Sequence, residues 1–325
     1  MKSYKTYQNE FWTPGRQDDD KEYWGSWVRP VHIDQVEDPS SSSEHSRGLL
    51  LGFACDEGVK RNYGHPGASA GPEQIRCIFK NLPRPDHSKH SVLDAGDIIC
   101  PDTDLELAQS QLAGLTRQIV EKNYIPVLLG GGHETAWGHF QGLLPGLSTQ
   151  KSLGIINFDA HFDLRPLENQ KAHSGSPFRQ ILSRCKEDGI PCRYNVLGVQ
   201  EHANSKSLYA YFSDHGSKYL SAETMFQQNL AELFQFVSQI LDENDQIYLS
   251  ICMDVFSSSV APGVSAVQPE GIFPFQVQPL IRQIAKSGKL SSAEIVEFCP
   301  KRDINDSTGK LAASLLSTIL ANLAH

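Results

Sequence analysis

Four short stretches concentrate residues that bind metals or move protons, and each sits in or just after an apolar run. The richest is Asn157-Phe-Asp159-Ala-His161-Phe-Asp163-Leu-Arg165. Asp159, His161 and Asp163 alternate, so an extended backbone would direct all three to one side. An imidazole flanked by two carboxylates suits a divalent metal of intermediate hardness. The blander reading is a solvated loop, yet a buried strand seldom runs straight into ionisable groups that lack partners. In Gly130-Gly131-Gly132-His133-Glu134, three glycines let the backbone turn sharply and bring His133 to the start of an expected helix. A lone His there is more often a capping or surface residue; beside the first motif it supplies a second imidazole. In Ser250-Ile-Cys252-Met-Asp254 a thiol and a carboxylate again alternate, although a buried Cys is more commonly structural and Asp254 has an ordinary role as a turn acid. Glu297 closes a strand-like run, Glu294-Ile-Val-Glu297, where an acid usually caps the next segment.

Such groups need rigid elements to converge. Short apolar runs at Gly48–Cys55, Ile125–Leu129, Leu153–Asp159, Tyr194–Gln200, Gln246–Met253 and Ala293–Phe298 read as buried strands. The spacing of apolar residues predicts helices over 105–123, 134–143, 204–212, 228–241, 274–286 and 307–323. Strands alternating with helices imply a three-layer α/β domain, a largely parallel sheet covered on both faces. In such sheets ligands bind beyond the carboxyl ends of the strands, which is where all four motifs fall. Residues 1–47 read as an N-terminal arm and 48–325 as the α/β domain. The arm carries Trp12, Trp24 and Trp27 and ends in the serine run Ser40–Ser43. Large aromatics gain much from burial, so anchoring by tryptophan is expected, with Asp38–Ser46 as the linker.

Composition narrows the function classes. The chain has 325 residues, 38 acidic and 29 basic, for a net charge of −9. Without a basic block or a stacking motif, nucleic acid is not the expected partner. No run approaches the roughly 18 apolar residues of a membrane span, and the N-terminal stretch has no apolar core of a secretory signal. Seven cysteines, an odd number and scattered without Cys-x-x-Cys spacing, read as free thiols of a reducing cytoplasm rather than a disulfide framework.

The four motifs, in this order, resemble the ureohydrolase family of arginases, agmatinases and formimidoylglutamases. Gly64-His-Pro-Gly67, Gly71-Pro72-Glu-Gln-Ile-Arg76, Asp94-Ala-Gly-Asp97 and Val260-Ala-Pro-Gly-Val-Ser265-Ala extend the likeness from about Gly48 to the C-terminus. The resemblance implies an arginase-like fold and two Mn²⁺ ions per subunit that share a bridging hydroxide. Its ligands fall here on His133, Asp159, His161, Asp163 and Asp254. One position departs. The family usually has Asp-x-Asp where this chain has Cys252-x-Asp254, and the missing carboxylate is the one expected to bridge both metals. A thiolate at Cys252 can ligate, but it is softer and favours Zn²⁺ or another divalent ion over Mn²⁺.

Within the family the chain is most like formimidoylglutamases. It carries Gly-Gly-Gly-His-Glu where arginases and agmatinases carry Gly-Gly-Asp-His-Ser, and Ser174 where arginase-type enzymes place a proton-shuttling His. The stretches Trp12-Thr-Pro-Gly-Arg16-Gln-Asp18 and Cys55–Asn62 add to the likeness. The implied reaction is hydrolysis of N-formimidoyl-L-glutamate to L-glutamate and formamide, through attack of the metal-bound hydroxide on the formimidoyl carbon. A dicarboxylate substrate needs cations, and arginine suits bidentate recognition; Arg165, Arg179 and Arg61, with Asn62 and Ser174, are the candidates. Glu297 would hold the cationic amidine. Asp163 would relay the proton to the leaving amine, with Glu134 or His173 as alternative acids. Rival readings are a ureohydrolase acting on a guanidino acid, as arginase or guanidinobutyrase does, and a non-catalytic metal-binding homologue altered at Cys252. Relatives often form homo-oligomers.

Overall fold

The computed structural model describes residues 3–15, 20–38, 45–88 and 91–324. Arg16, Asp18, Ser40–Ser43 and most of the expected linker lie outside the described residues. In chain order the strands are β1 (Tyr4–Lys5), β2 (Val28–Pro30), β3 (His45–Ala54), β4 (Ser91–Ile99), β5 (Ile125–Leu129), β6 (Leu153–Phe158), β7 (Cys192–Val199), β8 (Tyr219–Ser221), β9 (Gln246–Cys252) and β10 (Leu290–Val296). They form one sheet in the order β1-β4-β3-β5-β10-β9-β6-β7-β8, with β2 also on β4. Among the named strands of the described residues, only the β1–β4 pair is antiparallel.

The helices are α1 (Asn9–Trp12), α2 (Glu57–Arg61), α3 (Gly71–Phe79), α4 (Leu105–Glu121), α5 (Thr135–Leu143), α6 (Pro177–Glu187), α7 (Lys206–Ser213), α8 (Ala222–Gln227), α9 (Leu230–Asp242), α10 (Pro274–Lys286) and α11 (Ser307–Asn322). Their sequences supply their own starts. Asp104 caps α4 through Leu107 N at 3.0 Å, and Asn229 with Glu232 forms a capping box on α9, which satisfies backbone donors the first turn leaves open. Helices α4 to α7 bury Leu112, Phe140, Ile181 and Phe212 on one face of the sheet. Helices α3 and α8 to α11 bury Ile75, Met225, Val237, Leu280 and Leu315 on the other. The result is the three-layer α/β arrangement, with a mostly parallel sheet.

Several elements are less legible. Strand β4 reads Ser-Val-Leu-Asp-Ala-Gly-Asp-Ile-Ile, and its two acids break the apolar run. They are tolerated because Arg76, on α3 and fully buried, binds Asp94 at 2.8 Å and Asp97 at 2.6 Å. Cys55–Asn62 is not a plain loop, because α2 forms inside it. The division expected at 47/48 falls within β3.

The arm joins the same sheet through β1 and β2. Trp12 and Trp24 are buried; Trp24 stacks on Phe79 at 5.0 Å and donates to Ser317 Oγ at 2.9 Å. Tyr7 donates its hydroxyl to Asp97 and lies under the Arg76 guanidinium, 4.8 Å from ring centre to carbon. Arg76 therefore ties arm, α3 and β4 together. Arg76→Met leaves two buried carboxylates without their cation, and we expect a loss of about 3–5 kcal/mol in unfolding free energy by urea titration.

Candidate metal centre and cavity

The strand order reverses around β5, β10, β9 and β6. After β5 the chain passes through α5 and re-enters the sheet three places away, leaving room that β9 and β10 fill. The carboxyl ends of these four neighbours carry His133, Glu297, Cys252 with Asp254, and Asp159 to Asp163, at a topological switch point where α/β sheets bind ligands.

Asp159 stands at the centre. Its Oδ2 is 3.0 Å from His133 Nδ1, and its Oδ1 is 3.4 Å from His161 Nδ1. Asp163 Oδ2 approaches His133 Nδ1 to 2.9 Å, whereas Asp254 Oδ2 approaches His161 Nδ1 to 3.2 Å. Two groups of compact ligand atoms result, His133–Asp159–Cys252 and Asp159–His161–Asp254, with Asp159 common to both. The extended backbone expected beyond the strand is absent. The chain leaves β6 at Phe158, and Asp163 takes a left-handed turn (φ 48°), so Asp163 joins the His133 side while His161 faces Asp254. Likewise β9 ends at Cys252 and a 3₁₀ turn carries Asp254 onward. Cys252 and Asp254 therefore belong to different groups, not to one face of a strand.

The donors are placed for a cation. Despite two carboxylate oxygens within 3.0 Å, His133 Nδ1 makes no aligned hydrogen bond, and Asp254 Oδ1 is also buried without a partner. Among the described residues no Lys or Arg is ion-paired with Asp159, Asp163, Asp254 or Glu297. Burial lowers the basicity of His133 and His161, but the carboxylates around them outweigh it and hold both well above the ordinary imidazole range. Burial would raise Asp159, yet His133 and His161 bring it down. Burial first, then the neighbouring acids, pushes Asp254, Cys252 and Glu297 up. This pattern of acids raising one another, with nitrogen, oxygen and sulfur donors converging, fits divalent metal.

A cavity of roughly 290 Å³ adjoins these groups, its lining including His161, Asp163, Cys252, Asp254 and Glu297 together with Asn62, Arg165 and Ser174. Glu297, itself left-handed (φ 65°), is fixed to the glycine turn: its N–H donates to Gly131 O and its Oε1 accepts from His133 N, both at 2.8 Å. Asn62 donates to Ser174 Oγ at 3.1 Å and accepts from Arg165 at 3.4 Å. Arg165 is exposed, and among the described residues no carboxylate pairs with it.

Four sequence candidates fall outside both the ligand groups and the cavity lining. Arg61, at the end of α2, is turned to Glu106 (2.6 Å) and Glu57 (3.4 Å). Arg179 donates to Leu164 O at 3.2 Å and lies over the Tyr211 ring. His173 is buried, with Nε2 3.1 Å from Pro166 O and Nδ1 accepting from Gly175 N. Glu134 is fully buried and accepts from Gly58 N at 2.8 Å, and burial pushes it up to about 7. Conversely, His65, Asn204 and Ser265 line the cavity without having been singled out. Asn204 braces the Asp159–Asp163 loop, accepting from Phe162 N and donating to Ala160 O, each at 2.9 Å. Its lone amide in a polar stretch carries no signal; His65 and Ser265 sat within the family-like motifs, but no ligand spacing marked them.

This fold and site define a class. The chain belongs to the Arginase family, whose match spans residues 47–321. Among similar proteins, the formimidoylglutamase of Legionella pneumophila (strain Paris) is 40% identical over 279 residues, 86% of each chain. That of Clostridium tetani is 36% identical over 329 residues, covering 99% of this chain and 97% of the relative. Two solved structures share the fold. The formimidoylglutamase of Bacillus subtilis gives a TM-score of 0.78 at 23% identity, covering 95% and 94% of the two chains. The Trypanosoma cruzi formiminoglutamase with Mn²⁺ gives 0.76 at 22% identity, covering 90% and 98%.

The glycine turn that presents His133 has no space to lose. A Cβ on Gly131 would lie 1.7 Å from Cys55 O, a backbone atom. We expect Gly131→Ala to lower unfolding free energy by at least about 1–3 kcal/mol in urea titration, as overpacking does.

Proposed function

We propose that this protein hydrolyses N-formimidoyl-L-glutamate to L-glutamate and formamide. The observation that carries the reading is the pair of ligand groups sharing Asp159 next to a cavity whose lining includes Arg165, in a chain 40% identical to a formimidoylglutamase. His133, Asp159, Asp163 and Cys252 would hold one divalent ion, and Asp159, His161 and Asp254 the other. Mn²⁺ is the ion of this reading; the thiol at Cys252 leaves Zn²⁺ as the alternative. Bound ions of this kind make water nucleophilic at neutral pH.

The chain's own residues then have distinct tasks. Arg165 and the Asn62–Ser174 pair receive the carboxylates at the cavity side. Glu297, raised by burial and by neighbouring acids, gains a counter-charge when the amidinium lies against it, and so orients the formimidoyl carbon. Oxygen adds to that carbon, its bond to the glutamate nitrogen breaks, and the departing nitrogen takes a proton. Asp163 would relay that proton, a role supported by its lining the cavity and lying 2.9 Å from His133. Glu134, His173, Arg61 and Arg179 take no direct part, because none of them lines the cavity or joins the ligand groups.

A guanidino-acid substrate is not favoured by the relatives found. A homo-oligomer belongs to this reading, supported by Phe226 and Phe275, which are 76% and 87% exposed. A cytoplasmic location is supported by cysteines that are all free. No helix among the described residues is long and apolar enough to cross a membrane.

Purified protein supplied with Mn²⁺ should release formamide and glutamate from formimidoylglutamate. Inactivity there, with turnover of arginine, agmatine or 4-guanidinobutyrate, would overturn the substrate. Arg165→Ala should raise KM about 10- to 100-fold, the worth of a charged hydrogen bond, while Arg61→Ala leaves KM near the parent value. Metal analysis should find Cys252→Ala depleted of metal and Cys252→Asp shifted toward Mn²⁺. A Cys252→Ala variant that equals the parent in metal content and rate removes Cys252 from the ligands.

A further inference from the structure

Behind His133, away from Asp159 and Asp163, lies a chain of polar groups that the proposed reaction leaves unused. His133 Nε2 is 2.9 Å from Ser250 Oγ. Ser250 donates to Glu294 Oε1 at 2.8 Å, and Glu294 Oε2 is 2.9 Å from His139 Nδ1. The fold dictates this alignment. Ser250 on β9 and Glu294 on β10 are register partners, and His139 stands on α5, the helix that follows His133. Ser250, Glu294 and His139 are all 0% exposed. The His139 ring is set against Tyr248, with centroids 4.7 Å apart.

A carboxylate carried into a sheet interior is costly unless hydrogen-bonded and paired. Glu294 has a hydroxyl on one oxygen and an imidazole on the other, and no Lys or Arg pairs with it among the described residues. We propose that Ser250, Glu294 and His139 are positioning residues that select the tautomer of His133 and fix its ring for metal. The proposal rests on the metal centre described under the proposed function. Ser250 has a single hydroxyl proton and gives it to Glu294. Its lone pairs therefore face His133, which must carry its proton on Nε2. Once the ring is neutral, as a metal ligand must be, Nδ1, the atom 2.9 Å and 3.0 Å from Asp163 and Asp159, is left with its lone pair toward the ligand group. The opposite tautomer would place a proton between those carboxylates and the site. His139 N–H holds the far oxygen of Glu294, so the carboxylate cannot rotate away from Ser250. Phe178, edge-on at 5.1 Å, restricts the His133 ring from the side. A metal-binding His usually donates its other N–H to a carboxylate, a backbone carbonyl or a water; here the acceptor is a serine held by a carboxylate.

The test is calorimetric titration of metal-free protein with Mn²⁺ alone and with Zn²⁺ alone, alongside thermal melting. Ser250→Ala and Glu294→Gln should bind the metal about 10- to 100-fold more weakly than the parent, the usual effect of losing such a partner. His139→Phe should shift affinity in the same direction, and Ser250→Thr, which keeps the hydroxyl, should recover most of it. Ser250→Ala removes one oxygen only, so it serves where a charge-altering variant fails to fold. Affinities equal to the parent in Ser250→Ala and Glu294→Gln overturn the proposal while leaving the metal centre standing. So does a Ser250→Thr variant as weak as Ser250→Ala at an unchanged melting temperature. A parent protein that takes up neither ion overturns the metal centre itself, and the proposal with it.

Discussion

Asp159, Asp163, Asp254 and Glu297 meet at the ends of adjacent strands, and no permanent cation within the described chain neutralises them. Taking a carboxylate out of water costs several kcal/mol unless charge returns to it. Elsewhere the same sheet answers that cost with its own side chain: Arg76 sits between Asp94 and Asp97 and is sealed beneath the arm. The strand ends have only His133 and His161, bases that serve as metal ligands when neutral. The two solutions separate a permanent structural tie from a site that remains open to an exchangeable cation.

Topology makes that convergence possible. Because the chain skips two positions between β5 and β6, strands from three separated parts of the sequence lie side by side. Precision comes from the turns that follow. Gly131 lets the backbone pass close to Cys55, Asp163 and Glu297 adopt positive φ, and Asn204 holds the Asp159 loop. Strained turns of this kind persist only where their surroundings over-determine them. Here the surroundings are the carboxyl ends of central strands.

The cavity's charge is asymmetric. Its lining joins the acids Asp163, Asp254 and Glu297 with one arginine, Arg165, so it offers charge of both signs. The net charge of −9 gives no hint of this, since a local guanidinium decides what an anionic ligand meets. Arg61 and Arg179 look equivalent to Arg165 in one dimension. In three dimensions they are taken up by Glu106 and by Tyr211.

The alternation of apolar strands with amphipathic helices determined the architecture from sequence alone, because burial on one or both faces imposes a period that the residues display. Identity also placed His133, Asp159, His161, Asp163, Cys252, Asp254 and Glu297 at strand ends, since acids and imidazoles directly after apolar runs are conspicuous. Strand β4 was hidden because its two acids make sense only beside Arg76. The same holds for Glu294, whose partners Ser250 and His139 come from another strand and a helix. Tertiary structure alone decided how the candidate ligands divide around Asp159, which arginine reaches the cavity, and which buried acids serve the fold. Those outcomes depend on distances between residues far apart in the chain, and local patterns of hydrophobicity carry no information about such distances.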